Sequence, residues 1–318
     1  MSGAIHTVTA NPALDQTVTL DALIPGSVHL ARAATVNAGG KGVNVASCLA
    51  DWGLPAHAHG LLGRDNCGPF EQLFAAKRIT DRMLRVAGAC RVNIKLADLA
   101  SGDTTDVNLP GPETGEAELA SLTAGLRDVG AGDLAVLAGS LPPGMPRDAL
   151  ARLCAQLKRQ GAWVLMDSSG SPLAAALANP PAALPDCVKP NREELAQWAG
   201  RELPGLDDVA RCARGLQRMG VGRVVVSLGE QGALLVDGDA ALLASLPPQR
   251  PLSTVGAGDA LVAGLTAAHR QELNAADSLR LAMAFAAAKL QRVGPHLPPE
   301  PQIRELAAAV SLQTLAAA

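Results

Sequence analysis

A glycine-rich turn ending in an acid stands late in the chain: Ser253-Thr254-Val255-Gly256-Ala257-Gly258-Asp259, running into the apolar stretch Ala260-Leu261-Val262. Gly256 and Gly258 let the backbone come close to a ligand and take conformations that other residues resist. A helix opening here offers unpaired N–H groups and the positive end of its dipole. Together these make an anion hole, suited to the charge that develops on a phosphoryl group during transfer. Asp259, at the same helix start, can take the proton of an attacking hydroxyl. Taken alone, the segment also reads as a turn with an N-cap Asp, because short glycine motifs carry little specificity.

A second such turn lies near the front: Asn37-Ala38-Gly39-Gly40-Lys41-Gly42-Val43-Asn44. Gly39 and Gly40 would let a polyol lie against bare backbone. Lys41 can meet a phosphate as a point charge, and Asn44 offers a donor and an acceptor to sugar hydroxyls. The spacing is not G-x-x-x-x-G-K-[ST], so a Walker A loop is excluded; a plain turn before a helix stays open. A third segment, Lys189-Pro190-Asn191-Arg192-Glu193-Glu194, puts Asn191 and Glu194 on one side of a helical first turn. Oxygen ligands acting through water suit Mg²⁺; an N-terminal capping box is the competing reading. Ala138-Gly139-Ser140-Leu141-Pro142-Pro143-Gly144 could line a substrate cleft. Ser227-Leu228-Gly229-Glu230-Gln231-Gly232 could make room for a nucleotide.

These segments need a scaffold that aims them at one place. From about residue 116 onward, short apolar runs alternate with helical ones: Leu134 to Ala138, Trp163 to Met166, Cys187-Val188 and Val224 to Ser227 as strands, with helices over Glu116 to Asp128, Pro146 to Gln160, Asp207 to Met219, Gly258 to His269 and Ala275 to Arg292. Such alternation predicts a mainly parallel sheet covered on both faces, with ligands beyond the carboxyl ends of its strands. Leu14 to Leu20, Arg91 to Leu96 and Thr104 to Leu109 fall outside that rhythm. Their alternation predicts a small separate sheet.

Hydrophobic residues make up 48% of the 318, charged residues 18%, and the formal net charge is −3. This is a globular composition, and the charge argues against nucleic-acid or anionic-membrane binding. Three Phe, three Trp and no Tyr leave little for base stacking. The six cysteines form no C-x-x-C pair, which fits reduced thiols in a cytoplasmic protein. No secretory signal or membrane-length apolar run is visible. No G-x-G-x-x-G follows the first strand, which sets a dehydrogenase aside. His57 and His59 could share a strand face toward a metal, yet no third ligand is evident. Trp52, Trp163 and Trp198 read as packing residues.

In order along the chain, Thr9-Ala10-Asn11-Pro12-Ala13-Leu14-Asp15, A-G-G-K-G-V-N-V-A, A-G-S-L-P-P-G, K-P-N-x-x-E and S-T-V-G-A-G-D-A resemble the ribokinase (pfkB) family of carbohydrate kinases over most of its length. The likeness is strongest to its phosphofructokinase and tagatose-phosphate branch. It implies an α/β three-layer sandwich in one domain over residues 1–318, with a small β-sheet lid from about 12–36 and 89–110. It implies ATP-dependent phosphorylation of a sugar phosphate, foremost fructose 1-phosphate to fructose 1,6-bisphosphate. Tagatose 6-phosphate and fructose 6-phosphate are the alternatives, and a non-catalytic sugar-phosphate sensor is a remote one.

By the same resemblance, Gly256, Ala257 and Gly258 form the anion hole and Asp259 is the base. Asp15, Gly39, Gly40 and Asn44 meet the sugar; Lys41 and Arg91 are candidates for its phosphate, with Ser140 assisting. Lys189, Asn191, Ser227, Gly229, Gly232 and Gly258 lie along ATP, and Asn191 with Glu194 organises Mg²⁺ through water. Adenine is expected near Ala257 and Ala284 to Ala288. A homodimer through the lid is expected. Ser253 departs from the D-T-x-G-A-G-D form of general sugar kinases and points to the same branch.

Overall fold

Apolar strands that must be buried on both faces need helices on each side, and the chain builds that arrangement. The structure is a computed structural model describing residues 3–247, 256–292, 294 and 296–315. Ser253, Thr254 and Val255, the front of the late glycine turn, lie outside the described residues.

The strands are β1 (Ile5–Thr9), β2 (Ala13–Leu20), β3 (Ala33–Gly39), β4 (Ala56–Gly63), β5 (Thr80–Val86), β6 (Arg91–Asp98), β7 (Thr104–Asn108), β8 (Leu134–Ala138), β9 (Trp163–Asp167), β10 (Cys187–Val188), β11 (Arg223–Ser227), β12 (Ala233–Asp237), β13 (Ala240–Ser245) and β14 (Ser311–Thr314). The helices are α1 (Lys41–Asp51), α2 (Gly68–Lys77), α3 (Glu116–Gly125), α4 (Ala149–Arg159), α5 (Gly170–Leu177), α6 (Arg192–Ala199), α7 (Leu206–Met219), α8 (Ala257–Arg270), α9 (Ala275–Leu290) and α10 (Glu300–Ala309).

Ten strands form the central sheet in the order β14-β13-β12-β11-β10-β9-β8-β1-β4-β5. It is parallel from β5 through β11 and antiparallel from β11 to β14. Period-2 alternation sends side chains to both layers. On β8, Leu134, Val136 and Ala138 enter the core beneath α1, α8 and α9, while Ala135 and Leu137 enter the one beneath α3, α4 and α7. This is the three-layer sandwich. The Ala-rich α9 lies close against α8: a Cβ on Gly264 would come 2.6 Å from the Ala282 Cα.

The smaller sheet, β3-β2-β6-β7, pairs β2 with β6 in parallel and is otherwise antiparallel. Its strand β3 escapes the sequence reading because Ala33-Ala34-Thr35-Val36-Asn37-Ala38-Gly39 is small, mostly exposed and weakly alternating. The unit β4-α2-β5 is likewise unanticipated. Helix α4 starts at Ala149 and not at Pro146, because the Ala149 N–H closes a tight turn onto the Pro146 carbonyl at 3.0 Å. Among the described residues no helix is long and apolar enough to cross a membrane.

Candidate active site

The carboxyl ends of β1, β8, β9, β10 and β11 end on one edge of the central sheet, the edge where such folds hold ligands. Helix α8 opens at that edge. Gly256 caps it with φ of 81°, a left-handed conformation that costs glycine little. The Ala260 N–H makes the first helical bond, to the Gly256 carbonyl at 2.9 Å. The N–H groups of Ala257, Gly258 and Asp259 therefore precede the bonded ladder, as an anion hole requires.

Asp259 is only 7% exposed, and its Oδ2 accepts a 2.7 Å hydrogen bond from Asn44 Nδ2 on α1. The two glycine turns, remote in sequence, thus meet in space. Burial, then the neighbouring Asp167 charge, pushes the Asp259 carboxyl up to about 6, against the pull of Asn44, Lys41 and Lys189. A base with that affinity for protons suits work near neutral pH.

Asp167, at the end of β9, was not singled out from sequence. It is 1% exposed; its Oδ1 accepts a hydrogen bond from Lys41 Nζ at 3.2 Å and forms an ion pair with Lys189 Nζ, also at 3.2 Å. Its Oδ2 is buried with no hydrogen-bond partner among the described residues. The available signal was a polar run, Asp167-Ser168-Ser169-Gly170, directly after an apolar strand. Burial works to lower the Lys41 pKa, but Asp167, Asp259 and Glu194 outweigh it and hold the ammonium above its ordinary value. Lys189 reaches the first turn of α8: a Cβ on Gly258 would lie 3.7 Å from its Nζ.

Beneath the smaller sheet runs a cleft of about 230 Å³. Strand register aligns Asn37, Asp15, Asn93 and Asn108 in one row across the sheet, and all four line the cleft. Asp15 Oδ1 accepts from Asn93 Nδ2 at 2.8 Å. Its other oxygen lies where a Gly39 side chain would be, 2.2 Å from a Cβ built there, so this approach requires glycine. Burial raises the Asp15 pKa against the pull of Asn93, Arg91 and Lys95. One row further, Lys95 pairs with Asp106 at 2.7 Å, and both line the cleft, as does Lys289 near Gly256. None of these three was anticipated; Lys95 and Asp106 sit at period-2 positions from Asn93 and Asn108. Arg91 donates to Asn93 Oδ1 at 3.2 Å and to the Asn11 carbonyl at 3.4 Å, while Asn11 Nδ2 donates to Ser140 Oγ at 3.2 Å.

Asn191 and Glu194 form a capping box. The Asn191 side chain accepts from the Glu194 N–H at 2.7 Å, and Glu194 Oε2 accepts from the Asn191 N–H at 2.9 Å. Asn191 bridges to Ser227 beside it. Gly229 stands in open space, whereas Gly232 faces the Ala244 carbonyl of β13, so hairpin packing accounts for that glycine.

His57 and His59 lie at the opposite end of the strands and surround His6, whose Nδ1 is 3.0 Å from His59 Nε2. Among the described residues no group of three or more His, Cys, Asp or Glu is arranged to hold a metal ion. Trp52 packs edge-on against Phe285, and Trp163 stacks on His269 at 4.0 Å.

The profile of the pfkB family carbohydrate kinase matches residues 9–303. A 1-phosphofructokinase of Xanthomonas campestris is 47% identical over 312 residues, 98% of each chain. One of Rhodobacter capsulatus is 45% identical over 318 residues, 99% of each. The crystal structure of phosphofructokinase-2 from Escherichia coli in complex with substrates and products superposes with a TM-score of 0.89 at 32% identity, covering 96% of this chain and 98% of that one.

Proposed function

We propose that this chain, which belongs to the pfkB family of carbohydrate kinases, transfers the γ-phosphoryl group of ATP to the 6-hydroxyl of fructose 1-phosphate, giving fructose 1,6-bisphosphate. The observation that carries the reading is the buried Asp259 at the mouth of α8, bonded to Asn44 from the helix that follows the Gly39–Gly40 turn. Names of the 1-phosphofructokinases at 47% and 45% identity support the substrate. Kinases of tagatose 6-phosphate or fructose 6-phosphate on the same scaffold are the alternative; a sugar-phosphate sensor would have no use for a base of raised pKa.

In this reading Asp15, Asn44 and the backbone of Gly39 and Gly40 hold the sugar hydroxyls. Arg91 and Ser140, tied together through Asn11, take the substrate's own phosphate at the far end. Lys41 is committed to Asp167 beside Lys189, so it serves the phosphoryl group in transfer rather than the phosphate already present. Asp259 takes the proton of the 6-hydroxyl as the new P–O bond forms and the bond to the β-phosphate oxygen breaks. The first-turn N–H groups of α8 meet the charge that develops. Ser227, Gly229 and Asn191 follow the nucleotide, with adenine toward α9, while Gly232 serves the packing of the hairpin. Carboxylate oxygens at Asp167, one of them without a partner among the described residues, together with Glu194 and Asn191 would suit a hydrated Mg²⁺ held through water. That ion would neutralise charge on the polyphosphate.

The smaller sheet acts as a lid that keeps water from the transfer. Its outer face and the loop before β3 leave Ile24, Val28, Leu30, Val36, Val107 and Leu109 exposed. A second copy of the chain covers this apolar surface, forming a homodimer through the lids. Val107→Lys should then shift the species seen by light scattering from dimer to monomer; a monomeric parent chain removes the dimer. Six free cysteines support a reducing, cytoplasmic setting. The decisive experiment is an ADP-release assay over fructose 1-phosphate, fructose 6-phosphate, tagatose 6-phosphate and fructose. The highest kcat/KM should fall on fructose 1-phosphate, and a preference for any other sugar refutes the substrate assignment.

A further inference from the structure

We infer that Asn93 is a positioning residue that couples recognition of the sugar hydroxyls at Asp15 to recognition of the substrate's phosphate at Arg91; the inference rests on the reading of those two residues given above. Asn93 is the neighbour of Asp15 across the parallel β2–β6 pair and of Asn108 across the β6–β7 pair. Its side chain bonds in two directions at once. Its Oδ1 accepts from Arg91 Nη1 at 3.2 Å, and its Nδ2 donates to Asp15 Oδ1 at 2.8 Å.

Only one orientation of the amide can do this. A guanidinium offers donors alone and a carboxylate acceptors alone. With the ring of choices closed at both ends, the amide cannot flip without facing nitrogen to a cation and oxygen to an anion. Asp15 Oδ2 occupies the space that a Gly39 side chain would take, 2.2 Å from a Cβ built there. Its carboxylate is thus oriented by Asn93 through Oδ1 while it lines the cleft. Arg91 is pinned between Asn93 and the Asn11 carbonyl. A chain of this kind, cation to amide to carboxylate, strengthens link by link because each bond polarises the next. Fixing one end in the geometry that the substrate needs thus fixes the other. The entropy cost of ordering both is met once, before binding.

The test uses the full chain with Asn93→Ala, Asn93→Asp, Arg91→Ala and the double variant Asn93→Ala/Arg91→Ala, assayed with fructose 1-phosphate and ATP. Asn93→Ala should raise KM for fructose 1-phosphate roughly 10- to 100-fold, the scale of bonds lost to charged partners. It should change kcat by no more than a few-fold and leave KM for ATP as in the parent. The double variant should lose clearly less than the product of the two single losses, because both remove parts of one chain. Asn93→Asp keeps an oxygen for Arg91 but sets a second carboxylate against Asp15, so its KM should rise at least as far as that of Asn93→Ala. It also supplies the answer should the alanine variant not fold. A raised KM in Arg91→Ala together with a parent-like KM in both Asn93 variants overturns the inference alone, as do strictly multiplicative losses or an equal rise in KM for ATP. A parent-like KM in Arg91→Ala overturns the phosphate assignment beneath it, and the coupling with it.

Discussion

Replacing Asp259 with Asn should cost activity and add stability in the same variant, because one physical cause lies behind both. The folded chain holds the Asp259 carboxyl at about 6 against an ordinary 3.8. A group whose folded pKa is raised contributes stability that is fully present below about pH 3.8 and is lost as pH rises through about 6. The gap of about two units corresponds to roughly 3 kcal/mol of strain at pH 8, where the buried carboxylate is charged. The Asn variant removes that charge and keeps one oxygen for the Asn44 donor, so part of the 2.7 Å bond survives. For a chain of 318 residues, unfolding entropy near 2 cal/mol/K per residue translates the net gain into a melting temperature higher by about 2–4 °C. Differential scanning fluorimetry of the ligand-free proteins from pH 4 to pH 8 would read it. The gap should open as pH rises through about 6 and close near pH 4. Turnover should fall roughly 10²–10⁴-fold, the usual worth of a general base, and kcat/KM of the parent should drop below about pH 6. Parent-like turnover in Asp259→Asn, or a melting gap that does not vary with pH, would refute the reasoning.

Lys41→Met should lower kcat more than it raises KM for fructose 1-phosphate, since the ammonium sits on Asp167 beside the base; steady-state kinetics over both substrates separate the two effects, and a pure KM effect would return Lys41 to the sugar's phosphate. His6 and His59 are held down to about 4 and about 3 by burial and by the charges of His57 and Arg82, joined at His59 by His6 and opposed at His6 by Asp133. Their contribution is present above about 6.5 and is lost as pH falls toward those values, so His59→Gln should flatten the acid side of the melting profile relative to the parent.

Much of this site was legible because its parts lie at the ends of elements, where sequence speaks most clearly. Gly256 to Asp259 marks a helix start by composition alone, and Gly39 to Asn44 does the same. The layered fold followed from the strand-helix alternation after residue 116. What escaped was set by tertiary contact. The cleft-facing row Asn37, Asp15, Asn93 and Asn108 exists only through the register of four strands, and β3 has almost no pattern of its own. Asp167 is an ordinary strand-end acid until two lysines from distant elements converge on it. Residues 189–194 could be read two ways from sequence, and the capping box forms. A capping box and a hydrated ion can share these side chains, since each carboxylate oxygen has two lone pairs.

In the proposed mechanism, the convergence on Asp167 also bears on how Asp259 could serve as the base. Two ammonium groups near a carboxylate ordinarily drive its pKa down and leave a weak proton acceptor. Here Lys41 and Lys189 both point at one oxygen of Asp167, each at 3.2 Å, while the only hydrogen bond to Asp259 comes, among the described side chains, from the neutral amide of Asn44. Both cations still pull the Asp259 pKa down, but burial and the neighbouring Asp167 charge outweigh them. Positive charge for the transferred group and basicity for the acceptor hydroxyl are conflicting demands on one small volume. Assigning the lysines to one carboxylate and the amide to the other reconciles them.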